Sequence, residues 1–473
     1  MKNGIICFLL ICIHGLVHAG IELPELFSDN MVLQQNSEIK IWGTARARKQ
    51  LTITTTWSEE TYSIKPNKDG TWEVIIKTTF GSFEPQTISL KQCGAKHSIN
   101  NVLIGEVWLC SGQSNMEMYF KGFNNQPIST YEEVLASASE DNGIRMLTVK
   151  RNLSDEPTSV GAGKWKLSTA KNILYFSAVA YHFAQELKKK LEVPVGIINS
   201  SYGGSTIEGW LSKEIVSQYD DVPSLESIPD STVWRKPTAM YNGMIAPYTR
   251  FTINGFLWYQ GEGSVDRYVT YEDKLVNLVD FWRNEWGLGD LPFYVVEITP
   301  YLYDNPLESA LLREAQFLAS KRIPNCEIVS TNDLLLSHEH LVAHPSLKAP
   351  IGKRLANLAL FYHYNFNDLK PHSPSIVLYR FDRNEIEITL AHCYDGIQVR
   401  TEYVGFEIAG EDQVFYSADA VLSLNKSYFR LSSSEVPHPV AVRYCFKNLQ
   451  LGNVVNSEGL PLIPFRTDDW EQE

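Results

Sequence analysis

The sequence has little of what marks membrane, disulfide-rich or nucleic-acid-binding proteins. Beyond the amino terminus, no apolar run approaches the roughly eighteen residues of a membrane-spanning helix, so we expect a water-soluble protein with no membrane span. Only 7 of 473 residues are cysteine, and none has the CxxC spacing of a zinc knuckle. The formal net charge of -13 disfavours nucleic acid as a partner, because such partners require a concentrated positive surface. Internal repeats and low-complexity tracts are also missing.

What remains is the composition of a folded protein that carries a leader. Hydrophobic residues make up 44% of the chain, and its length favours two or three domains. Residues 1–19 predict a signal peptide, with one lysine, a short apolar run and a Val17-His18-Ala19 end that suits cleavage. We therefore expect an exported protein, either periplasmic or extracellular.

Strand and helix patterns divide the rest of the chain into three parts. Residues 20–102 consist of short β-prone runs and predict a β-sandwich-like domain. Residues 103–365 alternate strands with helices, which are expected over 175–193, 271–287, 308–322 and 346–364, the first of them amphipathic. Such alternation predicts an α/β domain with a parallel sheet. Residues 366–473 return to a β-rich pattern.

Turns that follow strands are where an open parallel sheet binds ligands. The first such turn, in "GEVWLCSGQSNMEM" (105–118), places Ser114 at a glycine-containing passage from strand to helix, where a nucleophile can be exposed. Taken alone, a serine there is more often a helix cap. The second glycine of a GxSxG motif is also missing, since Met116 occupies that place.

Two later turns offer groups that could bind an oxyanion. Gly203 and Gly204 follow the strand of "VPVGIINSSYGG" and allow the backbone to approach a ligand closely. Gln260 ends "GFLWYQ" and carries a side-chain amide, while Glu262 is expected to organise the site from behind. Each of these signals alone is typical of ordinary turns.

His344 is the best candidate for a general base, because it lies in a loop before the last helix of the α/β region. Two other readings are open. One is a surface histidine, and the other is a metal site built with His338 and His340. The metal reading is weak, since Glu339 is the only obvious carboxylate nearby.

Taken together, these segments resemble the sialate O-acetylesterases of the SGNH hydrolase superfamily. The resemblance covers nearly all of the chain after the leader. Its motifs are "GEVWLCSGQSNMEM", "INSSYGGSTIEGW", "MYNGMIAP", "GFLWYQGEG", "HPSLKAPIGKRLA", "VGFEIAGEDQVFYSADA" and "GLPLIPFRTDDW".

The resemblance implies a three-layer SGNH-type domain that carries a serine esterase. Ser114 would be the nucleophile and His344 the base. The oxyanion would be bound by the Ser114 N–H, a backbone N–H at Gly203 or Gly204, and Gln260. The residues that would support them are Gln113, Asn115 and Glu262. No metal or organic cofactor is implied, and the substrate would be an O-acetylated sialic acid or another acetylated glycan.

The sequence departs from the family pattern in two places. Relatives often carry an aspartate two or three residues before the histidine, where this chain has Leu341 and Val342. We rank a dyad of Ser114 and His344 with a backbone-oriented imidazole first, Asp333 as the acid second and Glu339 third. Gly263 also follows "QGE" where the family prefers Ser-Asn, which puts the hydrogen bonds of that loop in doubt.

Two other functions stay open at this stage. One is an acetylesterase that acts on another polysaccharide, such as acetylated xylan, since esterases of this fold share their catalytic parts. The other is a non-catalytic carbohydrate-binding protein, in which the missing aspartate marks a decayed site.

Overall fold

The computed structural model describes residues 20–123, 128–140, 142–224 and 227–470. The expected signal peptide, residues 1–19, lies outside the described residues. Among the helices that the structure describes, none is both long and apolar enough to cross a membrane.

The amino-terminal part is built from strands. They are β1 (Val32–Gln34), β2 (Glu38–Thr44), β3 (Leu51–Thr55), β4 (Ser58–Ile64), β5 (Thr71–Lys77), β6 (Ser82–Gln92) and β7 (Ala95–Gly112). Of these, β3 clearly buries alternate residues. Strands β2 and β5 form an antiparallel pair, while β3 pairs with both β4 and β6. Ile41, Ile76 and Ile53 are fully buried in one core cluster, which holds the two groups of strands together.

Strand β7 is unusually long, at 18 residues, and pairs both with amino-terminal strands and with strands of the α/β region. Its first half pairs antiparallel with β6, and residues 103–105 also pair parallel with β1. Its second half, residues 106–112, pairs parallel with strands of the α/β region. The strand therefore runs without interruption across the boundary expected between residues 102 and 103.

The α/β region adds six strands to β7. They are β8 (Ile144–Thr148), β9 (Trp165–Leu167), β10 (Val195–Ser201), β11 (Gly255–Tyr259), β12 (Phe293–Val296) and β13 (Cys326–Val329). Their order is β13-β12-β11-β7-β10-β8-β9, and all neighbours are parallel except β8 and β9. Strand β7 lies in the centre, where the chain changes the direction in which it adds strands. Ligands bind at such a switch point in open α/β sheets.

Helices connect these strands and cover them. They are α1 (Ser114–Glu117), α2 (Tyr131–Ala136), α3 (Ala170–Ile173), α4 (Ala178–Leu191), α5 (Lys213–Val216), α6 (Tyr268–Trp286), α7 (Glu308–Arg322) and α8 (Ala349–Tyr362). Trp108 and Cys110 of β7 are buried in one core with α4 and α8, whereas Val107 and Leu109 enter another with α6 and α7. The helix expected over 308–322 is confirmed at both ends. Helix α8 begins at Ala349, so Pro350 occupies its first turn, where a missing N–H costs no hydrogen bond.

The carboxyl-terminal part forms two small antiparallel sheets. Their strands are β14 (Ser375–Asp382), β15 (Glu385–Ala391), β16 (Phe406–Ala409), β17 (Phe415–Ser417), β18 (Asp419–Leu422), β19 (Tyr428–Ser432), β20 (Ala441–Tyr444) and β21 (Phe465–Arg466). The orders are β14-β15-β19-β18 and β17-β16-β20-β21, around a core of their own. Arg313 of α7 is buried and donates to the carbonyl oxygen of Lys447 at 2.6 Å, which ties this part to the α/β region.

Candidate active site

Ser114 lies directly beyond the carboxyl end of the central strand. Strand β7 ends at Gly112, whose φ of +134° belongs to a conformation that favours glycine. A Cβ atom on Gly112 would lie 2.1 Å from the carbonyl oxygen of Tyr259, the last residue of β11. Only glycine therefore lets β11 approach this closely and the chain turn into α1.

Ser114 is the only residue of 105–118 that is not buried. The capping alternative is wrong, because Gln113 occupies the cap position of α1 and Ser114 is its first helical residue. Other serines at this edge of the sheet are engaged elsewhere. Ser111 is fully buried and donates to the Ser200 carbonyl oxygen at 2.6 Å, and Ser201 donates to Asn199 Oδ1 at 2.7 Å. The turn thus presents one hydroxyl.

Gln113 holds the turn after β11 against the turn after β7. Its Oε1 accepts hydrogen bonds from the backbone N–H groups of Gly261 and Gly263, both at 3.1 Å, and from Gln260 Nε2 at 3.2 Å. A Cβ atom on Gly263 would lie 2.5 Å from the Ser205 carbonyl oxygen. The loop that departs from the family pattern at Gly263 is therefore tightly packed and hydrogen-bonded.

The candidate oxyanion donors differ in whether they are available. Gln260 is fully buried, and its Nε2 has three acceptors, Gln113 Oε1, the Ser205 carbonyl oxygen and Ser264 Oγ, at 3.1 to 3.2 Å. Both of its hydrogens are thus engaged inside the protein.

The candidate backbone donors also differ in whether they already have an acceptor. The Gly203 N–H donates to Glu117 Oε2 at 2.9 Å. The N–H groups of Ser114 and Gly204, in contrast, have no hydrogen-bond acceptor within the described part of the chain. These two are free to bind an oxyanion without breaking an existing contact.

His344 lies in the loop before α8, and Glu339 holds that loop in shape. The buried Glu339 carboxylate accepts from the Leu336 N–H at 3.0 Å and from the Ser346 N–H at 2.9 Å. The imidazole packs edge-on against Phe123, with ring centroids 5.2 Å apart. Burial, together with the nearby Lys348 cation, lowers the pKa of His344 to about 4. The ring is therefore neutral near pH 7 and able to accept a proton.

A buried polar cluster lies behind Ser114 and His344. The Asn115 side chain donates to Glu262 Oε1 and, at 3.0 Å, to the carbonyl oxygen of Ala343, the residue before His344. Its Oδ1 accepts from Lys348 Nζ at 2.6 Å. Burial raises the pKa of Glu262 and lowers the pKa of Lys348 to about 7. Asn115, the residue after the serine, is thus hydrogen-bonded to the loop that carries the histidine.

Asp333, the second-ranked candidate for the acid, is engaged by a cation. Its two carboxylate oxygens accept from Arg354 Nη1 at 2.8 Å and Nη2 at 2.6 Å. Arg354 also donates to the Ser330 carbonyl oxygen at 2.8 Å, so the pair joins the end of β13 to α8. Asp333 is therefore paired with Arg354, whereas Glu339 accepts hydrogen bonds from two backbone amides.

The residues of the hypothetical metal site do not form a cluster. His338 and His340 are exposed. Within the described ranges, no group of three or more histidine, cysteine, aspartate or glutamate residues lies close enough to hold a metal ion.

Sequence reasoning missed three residues of this site, all charged. Lys348 and Glu117 occur within the quoted motifs, but charged residues are usually exposed, and nothing local in the sequence marks these two as buried. Arg151 carries no motif. Its one signal is that it follows β8, whose carboxyl end lies at the same edge of the sheet as those of β7 and β10.

The fold and the residues gathered at this edge of the sheet place the chain among the α/β carbohydrate esterases. More narrowly, residues 104–360 match the family model described as carbohydrate esterase, sialic acid-specific acetylesterase. The match spans more than half of the chain, and the protein belongs to this family.

Individual relatives agree with this assignment. The chain is 30% identical to a human sialate O-acetylesterase over 311 residues, which cover 59% of this chain and 57% of that protein. It is 26% identical to the mouse sialate O-acetylesterase over 384 residues, covering 69% and 70%. It also resembles the crystal structure of a carbohydrate acetylesterase from Xanthomonas citri, with a TM-score of 0.85, 29% identity, and coverage of 95% of this chain and 100% of that one.

The aligned region is less than two thirds of the human relative, at 57% of its length. These relatives do not favour either of the two alternatives, an acetylesterase for another polysaccharide or a non-catalytic carbohydrate-binding protein.

Proposed function

We propose that this protein is a serine esterase that removes O-acetyl groups from sialic acids. The observation that carries the proposal is the position of Ser114, the one accessible side chain of its motif, beyond the central strand of the sheet. Membership of the sialic acid-specific acetylesterase family supports the choice of substrate. We also propose that the α/β region is a three-layer SGNH-type domain.

In the proposed reaction, Ser114 Oγ attacks the acetyl carbonyl carbon while His344 accepts the hydroxyl proton. The carbonyl C–O double bond becomes an oxyanion, which the free N–H groups of Ser114 and Gly204 bind. The bond to the sugar oxygen then breaks, and His344 returns its proton to that oxygen. Water next attacks the acetyl-enzyme with His344 as base, which releases acetate and restores the serine.

We propose that Ser114 and His344 act as a dyad. The position of Asp333 supports this, because both of its carboxylate oxygens already bind Arg354. Glu339 and Asn115 would hold the histidine loop in place through the backbone groups of Ser346 and Ala343. The supporting role that we assign to Gln113 rests on its three hydrogen bonds to the turn after β11. Export of the protein remains a proposal from the leader sequence alone.

Acetate release from O-acetyl sialic acid tests the function directly. We expect Ser114→Ala to lose several orders of magnitude in kcat and to keep its circular dichroism spectrum, since no acyl-enzyme can form. Ser217→Ala, which alters an exposed serine at the carboxyl end of α5, is the matched control. A Ser114→Ala variant that retains more than about a tenth of the activity would move the nucleophile elsewhere.

Two further substrates test the specificity. Much faster release of acetate from acetylated xylan than from O-acetyl sialic acid would refute the choice of substrate. Binding of sugar without hydrolysis of 4-nitrophenyl acetate at any pH from about 5 to 9 would refute catalysis, because a neutral His344 is available throughout that range.

A further inference from the structure

Arg151 lies beside the candidate nucleophile, although no motif marks it. A Cβ atom placed on Gly203 would lie 3.5 Å from Ser114 Cβ and 3.9 Å from Arg151 Nη2. The serine and the guanidinium group therefore flank the same glycine. A sugar whose acetyl group reaches Ser114 must lie against this part of the surface.

The guanidinium group is held in place but only partly used. Its Nη2 donates to both carboxylate oxygens of Glu117, at 2.6 and 2.8 Å, and the group stacks on the Tyr202 ring at 4.3 Å. Nε and Nη1 have no acceptor within the described part of the chain. The Arg151 side chain is 51% exposed. It is thus a preorganised cation with free donors, which suits a carboxylate.

Lys150, the residue before Arg151, lines a cavity together with two other lysines. This cavity measures about 460 Å³, and the residues that line it include Tyr119, Tyr175, Lys150, Lys164 and Lys166. Tyr119 donates to Glu117 Oε1 at 3.1 Å, so the cavity wall and the arginine share one carboxylate.

The charge of this region contrasts with the rest of the chain. The protein has 42 basic and 55 acidic residues, yet three lysines line this one cavity next to an arginine. Two carboxylates neutralise part of this charge, because Glu25 pairs with Lys150 at 3.3 Å and Glu117 pairs with Arg151 at 2.6 Å. The local excess remains positive, and such a region attracts anions.

We propose that Arg151 binds the carboxylate of an O-acetylated acidic sugar, and that the lysine-lined cavity receives further negative charge on the same glycan. This inference rests on the proposed esterase function and names what selects its substrate. A charge-assisted hydrogen bond of this kind changes affinity by about ten- to hundredfold.

The test compares substrates with and without the negative charge. Acetate release is measured with O-acetyl sialic acid, with its carboxyl methyl ester and with neutral 4-nitrophenyl acetate. We expect the wild-type protein to prefer the free acid over the methyl ester by about tenfold or more in kcat/KM. Arg151→Gln should abolish that preference, because it should lower kcat/KM for the free acid at least about tenfold more than kcat/KM for 4-nitrophenyl acetate.

Arg250 provides a matched control in the same protein. It pairs with Glu73 and stacks on the Trp42 ring at 4.5 Å, as Arg151 pairs with Glu117 and stacks on Tyr202. Arg250→Gln should leave the preference unchanged. Arg151→Lys, which keeps the positive charge beside Glu117, guards against misfolding and should retain part of the preference.

Three outcomes would overturn the inference. The first is an unchanged preference in Arg151→Gln, and the second is no preference in the wild type. The third is an equal loss with the charged and neutral substrates, which would mean that Arg151 acts through Glu117 on the site itself. If the wild type hydrolyses no acetyl ester, the proposed function fails by itself.

A binding measurement keeps the two failures apart. Calorimetry with deacetylated sialic acid still tests Arg151 when no hydrolysis occurs, because the carboxylate remains in that ligand. We expect Arg151→Gln to bind it about tenfold more weakly or worse, and equal binding by both proteins would overturn the inference. Acetylated galacturonan fragments, which carry the same group, distinguish a sialic acid from a uronic acid as the source of the carboxylate.

Discussion

Replacing Lys348 with methionine tests the buried cluster behind the candidate active site. Lys348 is fully buried, and its Nζ donates to Asn115 Oδ1 at 2.6 Å. Methionine fills a similar volume without the charge. The change leaves Asn115 Oδ1 without its donor and the half-buried Glu262 carboxylate without a neighbouring cation.

The expected loss of stability follows from these two vacated contacts. Breaking a buried ion pair costs about 3 to 5 kcal/mol, which sets an upper range for removing the cation near the Glu262 carboxylate. We expect the lower end, about 3 kcal/mol, because burial raises the pKa of Glu262 and its carboxylate can take up a proton. For a region of this size, that loss lowers Tm by roughly 6 to 12 °C.

The same change should alter the pH dependence of catalysis. The Lys348 cation contributes to the low pKa of His344, which is about 4. Without that cation the pKa rises, so the acid limb of kcat/KM moves to higher pH. Burial is the larger cause and is unchanged, so the shift should be smaller than the full depression from the ordinary histidine value.

A double variant and a surface control identify the cause. Lys348→Met combined with Glu262→Gln also removes the carboxylate that lost its neighbouring cation, and the introduced glutamine amide still offers an oxygen to Asn115, so we expect recovery of about 1 kcal/mol or more. Lys353→Met, on the exposed face of the same helix, should unfold like the wild type. Denaturant unfolding of all four proteins measures these differences. A Lys348→Met variant within about 1 kcal/mol of the wild type, or no recovery in the double variant, would refute this account.

Three further predictions concern the histidine and its neighbours. His344→Ala should lose about a thousandfold or more in kcat, and the wild-type kcat/KM should fall only as pH drops toward 4, because protonation removes the base; an acid limb near the ordinary histidine pKa would contradict this. Asp333→Asn should stay within about tenfold in kcat while losing about 1 to 3 kcal/mol of stability through Arg354, and a thousandfold loss of kcat would establish a triad instead. Glu339→Gln replaces one acceptor by a donor and should lower kcat by up to about tenfold with little change in KM; a parallel rise in KM would indicate a substrate contact.

Local sequence patterns were enough to predict the four long helices, α4, α6, α7 and α8. The helix over 308–322 matches α7 at both ends, since this segment is rich in alanine, leucine, glutamate and lysine, which favour helices. The start of α8 was less well predicted. It begins at Ala349 rather than 346, because Pro350 is tolerated only in a first turn.

Long-range pairing was much harder to predict. The polar stretch of residues 95–101 gives no sign that it continues into the buried strand that ends at Gly112. Only pairing with β6, which lies elsewhere in the chain, makes residues 95–112 one strand. Boundaries placed from composition alone therefore miss such a continuation.

In the candidate active site, too, local motifs could be predicted from the sequence but long-range contacts could not. Ser114 and His344 could be selected because their turns carry recognisable motifs. The partners of Asp333 and Glu339 could not, since a carboxylate reads the same in sequence whether it binds Arg354, a backbone amide or an imidazole. Gln260 shows this too, because its position suggested a free amide, whereas both hydrogens of that amide are engaged.

The length of β7 has a consequence for how far Ser114 projects from the sheet. A strand that pairs with both the amino-terminal strands and the α/β strands cannot slide along its axis without breaking hydrogen bonds to both sets. One residue of a strand measures about 3.3 Å, and a slip of one residue also turns every side chain to the opposite face. Catalysis tolerates far less, since an error of about 1 Å can cost roughly a hundredfold in rate. The amino-terminal strands therefore fix the position of the nucleophile along the strand axis. Exchanging them for another domain should disturb the reaction even though the catalytic residues are untouched.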